Sequence, residues 1–178
     1  MQSHIGIGVG KYLEREFDDA KESLWLISPI ITKKITEKII AISNKGVKIR
    51  ILTNPRVTSE SEFANIFLKN FVATERKQKP NNETSIDQKI ANPNVVPMVH
   101  VKLYIIDKRK AIIGSVNLGE KHFWDYAEYL CIFDESDIVS KAISDFEKLW
   151  SSCNNYELDS KNKAVFKNIL RKFARKLT

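Results

Sequence analysis

The chain has 178 residues, of which 43% are hydrophobic and 29% are charged, and this balance fits one globular domain with a single core and excludes a disordered or fibrous protein. No apolar run approaches the ~20 residues that span a bilayer, and the first residues lack the basic and apolar regions of a secretory signal, so the sequence predicts a cytoplasmic protein. The formal net charge of +7 favours a polyanionic partner such as nucleic acid or an anionic membrane, although a lysine-rich surface can serve solubility alone.

The first half of the chain alternates predicted helices and strands. Apolar residues at helical spacing predict helices over residues 9–22, 35–42 and 59–73. Short apolar or alternating runs predict strands over residues 24–28 and 47–53. The polar stretch 74–93, which contains two prolines, predicts a long surface loop.

The second half predicts a hairpin, a further strand and two helices. In chain order they are a strand over 95–106, a turn at 108–110, its hairpin partner over 110–115, a strand over 129–133, and helices over 137–150 and 160–177. This order predicts an α/β domain with a mixed sheet. We expect one domain over residues 1–178, with a core at about 9–151 and a C-terminal basic helix within 152–178.

One motif stands out between residues 100 and 117. It reads His-x-Lys-x4-Asp-x6-Gly-Ser-x-Asn and consists of His100, Lys102, Asp107, Gly114, Ser115 and Asn117. His100 and Lys102 are two apart in a predicted strand, so their side chains leave the same face. The opposite face, toward the core, is expected to carry Val99, Val101, Leu103 and Ile105.

These residue types suit a phosphate. The imidazole of His100 can attack phosphorus while the Lys102 ammonium neutralises a non-bridging oxygen. Ser115 and Asn117, again two apart, are short donors that could bind the same phosphate. Gly114 permits a close backbone approach. Adjacent strands of the hairpin would let the four side chains converge.

The motif resembles the HKD motif of the phospholipase D superfamily, and the resemblance extends over about residues 14–150. It implies a phospholipase D-like sandwich, an α/β (mixed α+β) fold with a central mixed sheet and helices on both faces. It also implies a phosphodiesterase in which one histidine forms a phosphohistidine and a second protonates the leaving oxygen. No metal or cofactor is implied, and Cys131 and Cys153 lack neighbours at zinc-ligand spacing.

The resemblance assigns two more roles. Glu128, eleven residues after Asn117, matches a glutamate that holds the catalytic histidine in small nucleases of the family, so it joins His100, Lys102 and Asp107 among the catalytic candidates. The alternative for Glu128 is a solvated side chain at a strand edge. Asp107 is expected to be more structural than chemical and to hold the turn by hydrogen bonds.

The chain contains a single copy of the motif, because neither His4 nor His122 is followed by x-Lys. A mechanism with two histidines therefore predicts a homodimer that shares one site across a two-fold axis. Under this hypothesis, dimers of one wild-type chain and one His100→Ala chain should be nearly inactive.

Three aromatic residues and one arginine each allow two interpretations, one structural and one functional. The aromatics Phe123, Trp124 and Tyr126 either cover the core or line the site and stack on a base. Arg56 either contacts phosphate or is an ordinary surface arginine. Small size and positive charge favour a nuclease acting on DNA or RNA. The alternatives are a phospholipase D-type lipid phosphodiesterase and a non-catalytic nucleic-acid-binding module.

Overall fold

A computed structural model of the chain describes residues 1–55, 57–78, 84–153 and 156. The strands are β1 (Gln2–Ile7), β2 (Ser23–Ile27), β3 (Lys48–Thr53), β4 (Ile86–Ile90), β5 (Leu103–Ile106), β6 (Lys110–Gly114) and β7 (Ala127–Phe133). The helices are α1 (Gly10–Asp19), α2 (Lys33–Ser43), α3 (Ser59–Gln78), α4 (Glu120–Trp124) and α5 (Ser136–Ser152).

The seven strands form one mixed sheet in the order β1-β7-β6-β5-β2-β3-β4. Strands β2, β3 and β4 are parallel, whereas β5 runs antiparallel to β2 and continues through β6 and β7 to β1 in antiparallel pairs. The predicted hairpin is confirmed as β5 and β6, with Leu103 opposite Ile113. It places the two halves of the motif side by side, but not on the strands as predicted: His100 and Lys102 lie just before β5, and Ser115 and Asn117 lie just after β6.

Helices cover both faces of the sheet, as predicted. Alternate residues of β2 separate the two layers: Leu24 and Leu26 pack in the larger core with α1, α2 and α3, and Trp25 and Ile27 pack in a second core against α5. Central strands buried on both faces read as continuous apolar runs, which is why β2 and β5 were detected from sequence. None of the helices in the described ranges is long and apolar enough to cross a membrane.

Two predicted boundaries are wrong. The proposed loop 74–93 contains the last turn of α3 and the edge strand β4, which carries only two buried apolar residues, Ile86 and Ile90. The proposed strand 95–106 is reduced to Leu103–Ile106. Its partner β2 ends at Ile27, opposite Leu103, and Pro97 has no N–H to donate, so the earlier residues have no ladder to join.

Besides β4, two elements were not predicted from the sequence. Strand β1 is an edge strand that pairs with β7 and lies before the core boundary expected at residue 9. Helix α4 spans only 5 residues, too few for a periodic pattern. The basic helix predicted at 160–177 lies outside the described residues.

Candidate active site

An asparagine that the sequence analysis did not single out holds the start of the motif. Asn54 directly follows β3, and its Nδ2 donates to the carbonyl oxygen of Val99 at 2.8 Å. The Val99 N–H donates back to Oδ1 of Asn54 at 2.9 Å. Asn54 is only 4% exposed, so water competes little for either bond. This clamp fixes the backbone immediately before His100.

Two further buried polar residues hold Asn54. Asn65 of α3 donates from Nδ2 to the carbonyl oxygen of Asn54 at 2.8 Å, and its Oδ1 accepts from the Thr53 hydroxyl at 2.6 Å. The only sequence signal for Asn65 is an amide on the apolar face of a predicted helix. Buried amides need partners, but the sequence does not say which.

Lys102 lies against His100 just before β5. Its Nζ donates to the carbonyl oxygen of His100 at 3.0 Å and lies 3.2 and 3.3 Å from the two ring nitrogens. His100 is exposed, whereas Lys102 is buried. Burial lowers the pKa of the Lys102 ammonium, and the nearby Glu128 carboxylate offsets part of this effect. The imidazole and the cation thus lie side by side, as the motif predicts.

The residues that alternate with His100 and Lys102 along the chain are mostly buried, as predicted. Val99, Leu103 and Ile105 are buried in the core against α5. Val101 is exposed and was wrongly predicted to face the core. The segment that holds it has no strand neighbour and lies beyond that core, so alternation alone did not decide its burial.

Buried contacts also fix the segment that follows β6. The hydroxyl of Tyr104 donates to the carbonyl oxygen of Val116 at 2.5 Å, and the N–H of Leu118 donates to the Ser28 hydroxyl at 3.2 Å. Burial raises the pKa of Tyr104, so its hydroxyl remains a donor. These contacts position Asn117, which lies between Val116 and Leu118.

Gly114 permits a close approach, but to a neighbouring strand. A Cβ at this position would lie 2.1 Å from the carbonyl oxygen of Tyr129 in β7. The next residue continues the contact, because Ser115 and Tyr129 exchange hydrogen bonds of 2.9 and 3.0 Å. Gly114 therefore lets β6 and β7 pack tightly where the motif leaves the sheet.

Glu128 lies in the site but engages a different histidine from the one expected. Its carboxylate accepts a short hydrogen bond from the Ser115 hydroxyl, and its Oε1 lies 2.6 Å from Nδ1 of His122. Asn117 Nδ2 lies 3.1 Å from Nε2 of the same ring. The ring of His100, by contrast, contacts Lys102. The structure therefore does not bring Glu128 to His100 of its own chain.

His122 was missed as a site residue because only a repeat of His-x-Lys was sought. The short helix α4 brings it back to the motif, a placement that depends on tertiary structure.

The side-chain oxygen of Asn117 is a second indication of a functional site. It is buried, yet its Oδ1 has no hydrogen-bond partner among the described residues, and such groups are uncommon away from functional sites.

Asp107 lies at the far end of β5, about 16 Å along the chain from Lys102 at the ordinary rise of a strand. Its carboxylate accepts hydrogen bonds from the backbone N–H groups of Lys21, Glu22 and Ser23 at 2.7 to 3.2 Å. Burial tends to raise the pKa of Asp107, but these donors and the Arg109 charge outweigh it and hold the pKa below its ordinary value. Asp107 thus makes structural contacts with residues 21–23 at the start of β2, and its catalytic role stays a prediction.

A cleft of about 280 Å³ lies beside the motif, and its lining includes Thr32, Lys121, His122 and Tyr126. Tyr126 is 45% exposed and meets the His122 ring edge-on at 5.0 Å. Trp124 is equally exposed, whereas Phe123 is buried in the larger core. Arg56 lies outside the described residues. Within the described ranges, no three His, Cys, Asp or Glu side chains are grouped to hold a metal ion.

Curated relatives resemble the chain over only part of their length. An uncharacterized protein of Helicobacter pylori (strain ATCC 700392 / 26695) is 27% identical over 139 residues, covering 65% of this chain and 25% of the relative. A phospholipase D of Rickettsia conorii is 25% identical over 140 residues, covering 78% of this chain and 62% of the relative. The chain thus spans less than two thirds of either relative.

Solved structures share the fold. Nuc from Salmonella typhimurium, a phospholipase D family member, has a TM-score of 0.67 at 18% identity and covers 88% of this chain and 99% of its own. Phosphatidylserine synthase of Haemophilus influenzae Rd KW20 has a TM-score of 0.70 at 16% identity, and the match covers 98% of this chain and 45% of the synthase. TrmBL2, an archaeal chromatin protein with a novel mode of DNA binding, has a TM-score of 0.60 at 12% identity, and the match covers 87% of this chain and 53% of TrmBL2.

The sequence also matches a family model described as the phospholipase D-like domain of cardiolipin synthase over residues 13–150, a span that includes the whole motif. With the histidine, the lysine and the asparagine of that motif assembled at one edge of a mixed sheet, the chain belongs to the phospholipase D superfamily.

Proposed function

We propose that the protein is a metal-independent phosphodiesterase that cleaves DNA or RNA through a covalent phosphohistidine on His100. The observation that carries this proposal is the contact between His100 and the buried Lys102. A ring nitrogen of His100 attacks phosphorus, and the P–O bond to the leaving oxygen breaks. Lys102 and Asn117 stabilise the charge on the non-bridging oxygens. Water then attacks phosphorus and breaks the P–N bond.

Charge favours nucleic acid as the substrate. Residues 157–178 contain seven Lys and Arg but only two Asp and Glu, so they carry +5 of the net charge of +7. A basic segment attached to a phosphodiesterase domain suits a long polyanion. The superfamily's fold alone does not choose the substrate, because its neighbours include a phosphatidylserine synthase and a DNA-binding chromatin protein.

We extend the proposal to a homodimer in which both copies line the site. Ile5 and Ile7 of β1 are 81% and 71% exposed, and they share one face of the sheet with Tyr129 and Ile113. Tyr129 adjoins Ser115 through the hydrogen bonds between β6 and β7, so this apolar patch continues into the site. An exposed patch of this kind favours protein contact, and a second copy would cover it on both chains at once.

One panel of substrates tests the activity. In EDTA, the protein should cleave plasmid, single-stranded DNA or RNA, and His100→Ala should abolish cleavage while leaving the fold intact. The rate at low substrate should fall with added salt. Release of choline from phosphatidylcholine without nucleic acid cleavage would favour a lipid phosphodiesterase. DNA binding without cleavage of any substrate would favour a binding module.

A further inference from the structure

Tyr126 is an exposed aromatic residue on a segment whose backbone is fixed. It lies between the end of α4 and the start of β7, where the N–H groups of Asp125 and Tyr126 both donate to the carbonyl oxygen of Lys121 at 2.9 Å. Phe123 anchors the same turn in the larger core. The Tyr126 side chain is nevertheless 45% exposed. A large, rigid side chain of this kind offers contact area to a ligand at a low cost in conformational entropy.

One ring separates Tyr126 from the motif. The rings of Tyr126 and His122 are nearly perpendicular, with centres 5.0 Å apart. Nε2 of His122 in turn lies 3.1 Å from Nδ2 of Asn117, the amide to which the proposed function gives a non-bridging phosphate oxygen. A perpendicular neighbour covers at most one face of a ring, so His122 leaves at least one face of Tyr126 open.

The cleft that this ring lines suits an uncharged flat group better than a second phosphate. Glu60 and Glu120 contribute two carboxylates to the lining, and Lys121 contributes one ammonium. The third basic group, His122, faces the Glu128 carboxylate at 2.6 Å. Carboxylates beside a phosphate are unfavourable, because like charges repel. At about 280 Å³, the cleft is close to the lower limit of about 300 Å³ for small-ligand sites, so it fits one small ring system.

We infer that the cleft is a base subsite, in which a base next to the cleaved phosphate stacks on the open face of Tyr126. Every nucleobase has a flat π face, so this contact tolerates different sequences. A base reaches a side chain in this way only when it is out of the duplex stack, which makes single-stranded nucleic acid the preferred substrate. This assignment rests on the proposed function and names its substrate class more closely.

Oligomers that differ only in their bases test the contact. One is a short single strand of deoxycytidylate, or of cytidylate if the wild type cleaves only RNA, and the other is a stable abasic chain with the same number of phosphates. Stacking on an aromatic side chain changes affinity by about 5- to 150-fold per base. Tyr126→Ala should therefore lower kcat/KM on the first oligomer by about that factor, and on the abasic chain by less than about twofold. Tyr126→Phe, which keeps the ring, should stay close to wild type on both.

Trp124→Ala is the matched control. Trp124 is as exposed as Tyr126 but lies outside the lining of the cleft, so this variant should cleave both oligomers at rates close to wild type. Tyr126→Leu repeats the test if thermal unfolding shows that Tyr126→Ala does not fold.

Equal changes of Tyr126→Ala on the two oligomers, whether large or absent, would overturn the base subsite. So would an equal loss in Trp124→Ala, or a wild type that cleaves duplex DNA but not the single strand. A wild-type protein that cleaves no nucleic acid would instead reject the proposed function.

Discussion

The side-chain amide of Asn54 is hydrogen-bonded to both backbone polar groups of Val99, at 2.8 and 2.9 Å. This contact joins the end of a parallel strand to the residue before His100. Residues 98–102 pair with no strand. The side chain of Asn54 therefore makes the backbone hydrogen bonds of Val99 that a neighbouring strand would otherwise make. The position of His100 should therefore depend on Asn54.

Asn54→Ala should lower both stability and activity. It leaves the N–H and carbonyl groups of Val99 unpaired in a buried environment, at a cost of about 1–3 kcal/mol for each. A displaced His100 should reduce kcat/KM by about tenfold or more. Thermal unfolding and steady-state kinetics measure the two effects. Asn70→Ala, on the exposed side of α3, is the matched control, and an Asn54→Ala protein indistinguishable from it would refute the clamp.

Asp107→Asn should change stability in acid rather than catalysis. The pKa of Asp107 is lowered on folding, so the ionised carboxylate contributes stability above its unfolded pKa of about 3.9. That contribution is lost as the pH falls through the lower folded value. The variant should be less stable at neutral pH by about 1–2 kcal/mol, with a shallower decline in the free energy of unfolding in acid.

Chemical denaturation across acidic to neutral pH measures this dependence. Asp87→Asn, an exposed aspartate of β4, should follow the wild-type curve. A large loss of kcat for Asp107→Asn with unchanged stability would mean that Asp107 has a chemical role after all.

The alkaline limb of activity should report Lys102. Burial lowers the pKa of its ammonium, so kcat/KM should begin to fall below the ordinary lysine pKa of about 10.4. Lys102→Arg keeps the cation at high pH, and it should have a lower kcat/KM because the guanidinium fits the site differently. Its alkaline limb should disappear. A pH profile of Lys102→Arg with the wild-type alkaline limb would show that another group titrates there. Lys141→Arg, on the exposed side of α5, controls for general effects.

Charging the exposed face of β1 should separate the subunits. Ile5→Glu places a carboxylate in the centre of the apolar patch, twice across a two-fold axis, so light scattering should show a monomer where the wild type is a dimer. Asn70→Glu, which adds the same charge at an exposed position of α3 in the other helical layer, is a control that should stay dimeric. A wild-type protein that is monomeric at micromolar concentration would contradict the proposed interface.

Purified mixed dimers test the shared site. If the site takes one histidine from each chain, dimers of one wild-type chain and one His100→Ala chain should be nearly inactive, because every shared site then lacks one His100 side chain. Substantial activity in the purified mixed dimers would contradict the shared site.

Several parts of this site could be predicted from sequence because they depend on local spacing. The motif identified His100, Lys102, Ser115 and Asn117, and the hairpin followed from two apolar runs around a turn. Asp107 makes hydrogen bonds, as expected, but with residues 21–23 rather than with its own turn. The parts of the site that were not predicted depend on contacts between residues distant in the chain. Asn54, for example, contacts Val99, which lies 45 residues further along.

The same reason explains why the contact of Glu128 with His122 was not foreseen. Helix α4, which has no clear sequence pattern, brings His122 to the Glu128 carboxylate, while the expected contact between Glu128 and a catalytic histidine of the motif stays a prediction. Edge elements were missed for a related reason. β1 and β4 have few buried residues of their own, and only their partners β7 and β3 make them strands.

The most direct test of the central claim is to find the covalent intermediate. The protein is mixed with thymidine 5′-(4-nitrophenyl phosphate), denatured rapidly at alkaline pH, and examined by intact-mass and peptide mass spectrometry. We expect one thymidylyl group per modified chain, mapped to His100 and absent from His100→Ala. An adduct on another residue, or a His100→Ala protein that hydrolyses the ester at the wild-type rate, would contradict it.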